Sequence, residues 1–289
     1  RTEKRAVPAL PVAGSFRAID FSLSSMSNSH IQTVAILTQY NARSLNEHLS
    51  SSKWWNFGRK QGGLFLFTPT VTADNSDWYR GTADAMYQNI DFLKRRHEPY
   101  VIISSGDCVY KLDFNRVLDF HIEKKSDITV VCKDMMYNDD VSRFGVVRMD
   151  DESRITEFDE KPIEASSNTI STGIYVIRRR QLIELLEAAA EENRFDFVND
   201  ILVRYKNVKK IYGYKINSYW NNIADIDAYF KTNMDFLRPD IRSYFFREEP
   251  TICSKVDDLP PAKFNPGSDI SNSLVSSGCI INGRGEGSG

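Results

Sequence analysis

The chain has 289 residues and a net charge of −2. That length suits one large domain, or a domain with an appendage. At 41% hydrophobic and 26% charged residues the composition is that of a soluble globular protein. The charge balance gives no basic face for a nucleic acid, and apolar runs of about 4–8 residues are too short to span a bilayer.

No signal peptide is expected, and the chain opens at Arg1 without a Met. Cys108, Cys132, Cys253 and Cys279 are far apart and form no CxxC pair. They are expected to be buried free thiols of a cytoplasmic protein.

Helical and strand-like patterns alternate in chain order. FRAIDFSLSSMSNS (16–29) reads as a helix, TVAILTQ (33–39) as a strand and ARSLNEHLSS as a helix. LFLFTP (64–69) is a strand, and TADAMYQNIDFLKRR (82–96) is a helix with Ala85, Ile90 and Leu93 at helical spacing. YVIISS (100–105), a helix over 112–125 and DITVVCK (127–133) follow. FGVVRMD, RITEF, TGIYVIR and KKIYGYKI read as strands, with a helix from Arg180 to about Glu192. The pattern predicts a doubly wound, mostly parallel α/β sheet over residues 1–238.

From Leu237 to Pro266 the prolines of RPD, EEP, LPPAKF and NPG suggest an extended linker over 239–266. Residues 267–289 hold isolated Ile, Leu and Val among small residues, which fits the first coil of a parallel β-helix. The GRGEGSG tail lacks the helix and the Lys-Ser/Thr of a phosphate loop.

In an open α/β sheet, ligands sit outside the carboxyl ends of the strands. Asp107 stands at such an end in PYVIISSGDCVYK. It could hold a Mg²⁺, or it could cap the next turn. The loop WYRGT delivers Gly81 and Thr82 to a helix start, either as an anion site or as a capped helix. EFDEKP ends a strand in Lys161, held extended by Pro162, as a phosphate charge or a solvated side chain. Ser171 could meet a ligand hydroxyl or simply start its strand, and Gln39 could read a base edge or cap a helix. Arg17 and Asp20 lie at i, i+3 and read as an intrahelical ion pair. No Ser-His-Asp, Cys-His or zinc pattern is present.

Taken in order, KRAVPALPVAGSFRAIDFSLSSMSNS, TQYNARSL, WYRGTADAMYQN, SSGDCVYK, RFGVV, EFDEKP, STGIYV and LPPAKF resemble the bacterial ADP-glucose pyrophosphorylases. The resemblance runs over nearly the whole chain. It implies a nucleotidyltransferase α/β domain followed by a left-handed parallel β-helix. It implies the reaction of ATP with glucose 1-phosphate to give ADP-glucose and pyrophosphate for glycogen synthesis. By the same resemblance, Asp107 is a Mg²⁺ ligand, and Asp107 and Lys161 are catalytic. Tyr79, Gly145, Glu160, Lys161 and Ser171 hold the sugar phosphate or ADP-glucose, and Gln39, Gly81 and Thr82 lie beside the nucleotide.

Three positions depart from the family pattern. Only Arg1-Thr2-Glu3 precedes KRA where a Gly-rich loop belongs, and Val7 replaces a lysine. Asn222, in YWNNIADIDAY, stands where a second metal-binding carboxylate belongs. This pattern resembles the accessory subunit of some Gram-positive bacteria, which pairs with a catalytic subunit in a tetramer. A fully active enzyme using this or another sugar phosphate and triphosphate, and a non-catalytic effector-binding module, are the alternatives.

Overall fold

A computed structural model describes residues 5–58, 62–69, 78–137 and 139–288. Arg1-Thr2-Glu3 and Gly289, weighed above, lie outside them. A short hairpin, β1 (Pro11–Val12) and β2 (Phe16–Arg17), leads into α1 (Ala18–Asn28). β3 (Thr33–Leu37), α2 (Arg43–Leu49) and β4 (Gly63–Phe67) follow, and β3 and β4 pair in parallel. The helix expected over 82–96 is two, α3 (Thr82–Gln88) and α4 (Ile90–Lys94). They part at Asn89, whose amide donates to the Ala85 carbonyl and the Tyr79 hydroxyl.

β5 (Tyr100–Ser104), β6 (Cys108–Tyr110), α5 (Phe114–Glu123) and β7 (Ile128–Asp134) come next. Then follow β8 (Gly145–Met149), β9 (Ile155–Glu160), β10 (Thr169–Arg178) and α6 (Arg179–Glu191). A π-helical turn, Val198–Val203, precedes β11 (Ile211–Ile216), β12 (Trp220–Asn222) and α7 (Ile226–Asp235).

The main sheet has the order β11-β7-β10-β8-β9, with β5 also on β10. β7 and β11 are parallel, but β10 runs antiparallel to β5, β7 and β8. The expected mostly parallel sheet is therefore mixed. Short connections at 150–154 and 161–168 allow β8, β9 and β10 to pair antiparallel, whereas a parallel pair needs a crossover of roughly a dozen residues. Both faces are covered, as expected. Ile174 and Val176 pack with α1 and α5, while Tyr175 and Ile177 pack with α3 and α6. Each fully buried aliphatic side chain there contributes roughly 1.5–3 kcal/mol.

A third cluster joins Phe21 of α1 to Phe236 and Phe245. Phe245 lies on α8 (Pro239–Phe246), a helix within the stretch read as linker, with Pro239 in its first turn. Beyond α8 the chain does run without regular structure across the surface of α1. The Cys253 N–H donates to Ser24 Oγ, and its carbonyl accepts from Trp55 Nε1. These are backbone bonds, so the Cys253 side chain is exposed, and Cys279 is half-buried; only Cys108 and Cys132 are buried thiols. At the C-terminal end, β13 (Lys263–Phe264) pairs in parallel with β15 (Ile280–Ile281). β14 (Asp269–Ser271) likewise pairs with β16 (Arg284–Glu286).

Candidate active site

β10 is ten residues long and is shared on one side by two strands. Its first half pairs β8 at Ile170, and its second half pairs β5 from Ile174 onward. Between them the register shifts over Ser171 to Tyr175, and Gly173 takes φ +75°, which favours glycine. A cavity of about 220 Å³ opens at this fork. Ser105 closes β5, Gly145 opens β8, Glu160 ends β9 and Ser171 lies on β10; all four line it. Trp220 and Asn222 of β12 complete the far wall.

Four expected site residues thus meet here: Gly145, Glu160, Ser171 and Asn222. Gly145 is required by close approach, since a Cβ there would lie 2.8 Å from the Phe158 ring and 3.0 Å from Glu160 Oε2. Burial lifts the Glu160 carboxyl above its ordinary pKa, with the nearby Lys161 pulling it partly back. Ser171 Oγ is buried, 3.3 Å from the Tyr175 hydroxyl.

Lys161 stands at the rim, 65% exposed and 3.7 Å from Glu160. It is not extended: its φ is +49°, and its N–H turns back to the Phe144 carbonyl at 3.1 Å. The end of the β8–β9 pair forces that turn and overrides the preference set by Pro162.

Asp107 is half-buried between the lining residues Ser105 and Cys108. Its Oδ1 accepts from the Ser105 hydroxyl, and its carbonyl accepts the Ile223 N–H at 3.0 Å. Gly106 beside it has no special φ; it packs against Pro8 and Ile19. Asn222 pairs with Cys108 across the β6–β12 ladder, one residue from Asp107. Its Nδ2 donates toward Cys108 Sγ at 3.5 Å, and its Oδ1 accepts the Ala224 N–H at 2.9 Å. Burial pushes the Cys108 thiol well up. Among the described residues no cluster of three or more His, Cys, Asp or Glu could hold a metal. One strand-end carboxylate still fits Mg²⁺, which takes one or two carboxylates and completes its shell with water and phosphate oxygens.

Gln39, Tyr79, Gly81 and Thr82 are brought together elsewhere. Gln39 Oε1 accepts the Tyr79 N–H at 2.6 Å, so the amide expected beside a base holds a peptide group. Gly81 is required because a Cβ would lie 2.3 Å from the Phe195 carbonyl oxygen. That oxygen accepts the Ala83 N–H at 2.8 Å and approaches the Asp84 N–H at 3.3 Å, and Thr82 Oγ1 accepts from Phe197 N. Of the two readings of this helix start, anion site or capped helix, the chain itself fills the space an anion would take, through the Phe195 carbonyl. Asp84 is buried and accepts from the Arg80 guanidinium at 2.8 Å and from Gln88. Burial opposes its ionisation, but these bonds hold its pKa below the usual value.

Arg17 is no partner of Asp20 in an intrahelical pair. The Asp20 carboxylate caps the Arg17 N–H and meets His48 Nε2 at 2.6 Å, while Arg17 Nη1 donates to the Ala9 carbonyl. Val7 packs against the aromatic cluster around Phe21.

Sequence reasoning missed Trp220, although it lies two residues before Asn222. Trp220 is 5% exposed and lines the cavity, and its indole N–H has no partner. Arg143 and Phe144 were missed as well; they precede Gly145 in the RFGVV motif.

Among the described residues no helix is long and apolar enough to cross a membrane. A family model described as nucleotidyl transferase matches residues 2–238. Glucose-1-phosphate adenylyltransferase of Clostridium acetobutylicum is 38% identical over 286 residues, 98% of this chain and 75% of its own length. The Thermosipho melanesiensis protein of the same name is 38% identical over 98% of this chain and 69% of its own. That of Thermotoga maritima is 36% identical, covering 98% and 68%. The cavity at the β10 fork thus lies in a nucleotidyl transferase domain, and the chain belongs to the glucose-1-phosphate adenylyltransferase family.

Proposed function

We propose that the chain binds ATP and glucose 1-phosphate and forms ADP-glucose and pyrophosphate with low activity of its own. In this reading it works in the cytoplasm beside a catalytic pyrophosphorylase subunit, within a tetramer. The observation that carries the reading is the uneven state of the fork: Glu160, Ser171 and Trp220 line an open cavity, while Asn222 stands beside Asp107 where a carboxylate is expected. The α/β unit spans 1–238 and a connecting stretch 239–266. The start of a β-helix spans 267–289, where β14 pairs in parallel with β16 and β15 pairs back to β13 at the end of the connecting stretch.

The reaction asks for little covalent chemistry from the protein. A phosphate oxygen of glucose 1-phosphate attacks the α-phosphorus of ATP in line, and pyrophosphate leaves. Positioning and charge neutralisation supply the rate. Glu160 and Ser171 orient the sugar by accepting from and donating to its hydroxyls, and Trp220 forms part of the wall against it. Lys161 supplies a point charge for phosphate at the rim. When bound, Mg²⁺ on Asp107 would neutralise charge on the nucleotide phosphates. Gly145 and Tyr79 lie on the side of the sugar phosphate or ADP-glucose, and Gln39, Gly81 and Thr82 shape the nucleotide side as backbone supports.

A steady-state assay of the chain alone tests this. Turnover far below that of a full-activity relative, and lost in Asp107→Asn, is expected. Turnover within about tenfold of that relative, or turnover indifferent to Asp107→Asn, overturns the reading.

A further inference from the structure

The backbone around Asp107 is held from several sides. β5 ends its pairing with β10 at Ser104 and Ile174, yet the Ser105 N–H still reaches the Gly173 carbonyl at 3.1 Å. The Ser105 carbonyl accepts from the Ser22 hydroxyl of α1 at 3.3 Å. Gly106 packs against Pro8 and Ile19, where a Cβ would lie 3.2 and 3.1 Å from their side chains. On the far side the Asp107 carbonyl takes the Ile223 N–H at 3.0 Å. The fold therefore sets where Asp107 stands and leaves the direction of its carboxylate to side-chain contacts. Two groups supply them: the Ser105 hydroxyl donates to Oδ1, and the Cys108 thiol reaches the same oxygen at 3.6 Å. Among the described residues nothing donates to Oδ2.

A thiol is a weak donor, and a hydroxyl on a carboxylate is among the stronger ones. Both donors take Oδ1, so one oxygen is anchored and the other stays open. A cation held by a single carboxylate needs that carboxylate in one direction, because water and phosphate oxygens complete its shell without tying it to the protein. Resting on the Mg²⁺ reading of Asp107 in the function proposed above, we infer that Ser105 is a positioning residue: its hydroxyl anchors Oδ1 of Asp107 and leaves Oδ2 to the cation. Ser105 also lines the cavity, so the same residue sets the carboxylate relative to the β10 fork. Asn222 is neutral and spends its amide on Cys108 and Ala224, so no carboxylate of β12 shares that duty.

Titration with Mn²⁺ in place of Mg²⁺, read by electron spin resonance, tests this on the unmodified chain, Ser105→Ala, Ser105→Val, Ser105→Thr and Asp107→Asn. Valine and threonine have the same shape, so that pair differs in the hydroxyl alone. Ser105→Ala and Ser105→Val are expected to weaken Mn²⁺ binding roughly tenfold, and Ser105→Thr to stay within about threefold of the unmodified chain. In turnover, Ser105→Ala should need roughly tenfold more Mg²⁺ for half its maximal rate and regain its rate at saturating Mg²⁺, a recovery that a merely structural serine would not show. Ser105→Ala or Ser105→Val binding Mn²⁺ within about twofold of the unmodified chain overturns the inference. So does a Ser105→Thr variant as weak as Ser105→Val, or a turnover loss that Mg²⁺ does not recover. Asp107→Asn separates this inference from the reading beneath it. If Asp107→Asn loses Mn²⁺ and Ser105→Ala does not, the role of Ser105 alone falls. If Asp107→Asn binds Mn²⁺ as well as the unmodified chain, or the unmodified chain binds none, the Mg²⁺ reading of Asp107 falls and the role of Ser105 with it.

Discussion

The start of α3 and the fork of β10 are each built around glycine, Gly81 at the one and Gly145 and Gly173 at the other, yet only one of them is open. At α3 the Phe195 carbonyl fills the space over Gly81 and takes the first free N–H groups. Gln39 spends its amide on Tyr79, and Asp84 on Arg80 and Gln88. At the fork, the Trp220 indole N–H has no partner, burial raises the Glu160 pKa, and Arg143 pairs with a half-exposed Asp225. What separates the two regions is whether the chain itself fills the space beside the glycine, not the residue types present.

The comparison breaks hardest at the closed region. Gly81→Ala drives a Cβ into the Phe195 carbonyl, which is backbone and cannot swing away. A loss of about 3 kcal/mol in denaturant unfolding is expected, with sugar-phosphate affinity of the folded fraction unchanged. A matching affinity loss would show that α3 belongs to the sugar site.

Trp220→Phe strikes the open region. Stability should stay within about 1 kcal/mol, because the orphaned N–H leaves with the indole. Glucose 1-phosphate affinity should fall roughly tenfold by titration calorimetry. A large stability loss with unchanged affinity would make the indole merely structural.

The smallest effect is in pH. Burial raises the folded-state pKa of Glu160 above its unfolded value. Its contribution to stability is therefore fully present below the ordinary glutamate pKa and lost as pH rises through the raised one. Glu160→Gln should erase that loss, so its thermal midpoint gains on the unmodified chain as pH rises through that window. It should bind sugar phosphate worse at the same time. Parallel pH curves for the two proteins would contradict the assignment.

Much of the fold was legible because it is local. Apolar runs and helical spacing placed β3, β5, β7, β10 and α6, and Asp107 falls just past the end of β5 as its run of apolar residues implied. The direction of β10 was not legible, since pairing is decided by the lengths of connections and not by the strand itself. One signal was available. A glycine inside STGIYV marks a bulge in a strand, and the fork opens at that bulge. The closure of Gly81 by Phe195 joins residues more than a hundred positions apart. No local pattern carries such a contact, and so the sequence left Gly81 and Thr82 open between an anion site and a capped helix start. Trp220 was in view, but its missing partner exists only once β12 is laid against β6.

Asn222→Asp tests the central claim most directly. The change puts a second carboxylate one residue from Asp107 across the β6–β12 ladder. Without metal the two like charges should lower the thermal midpoint, and added Mg²⁺ should restore it. ADP-glucose formation should then rise on the order of tenfold and become more steeply dependent on Mg²⁺. A variant whose midpoint ignores Mg²⁺ and whose turnover matches the unmodified chain would contradict a half-kept metal site at the β10 fork.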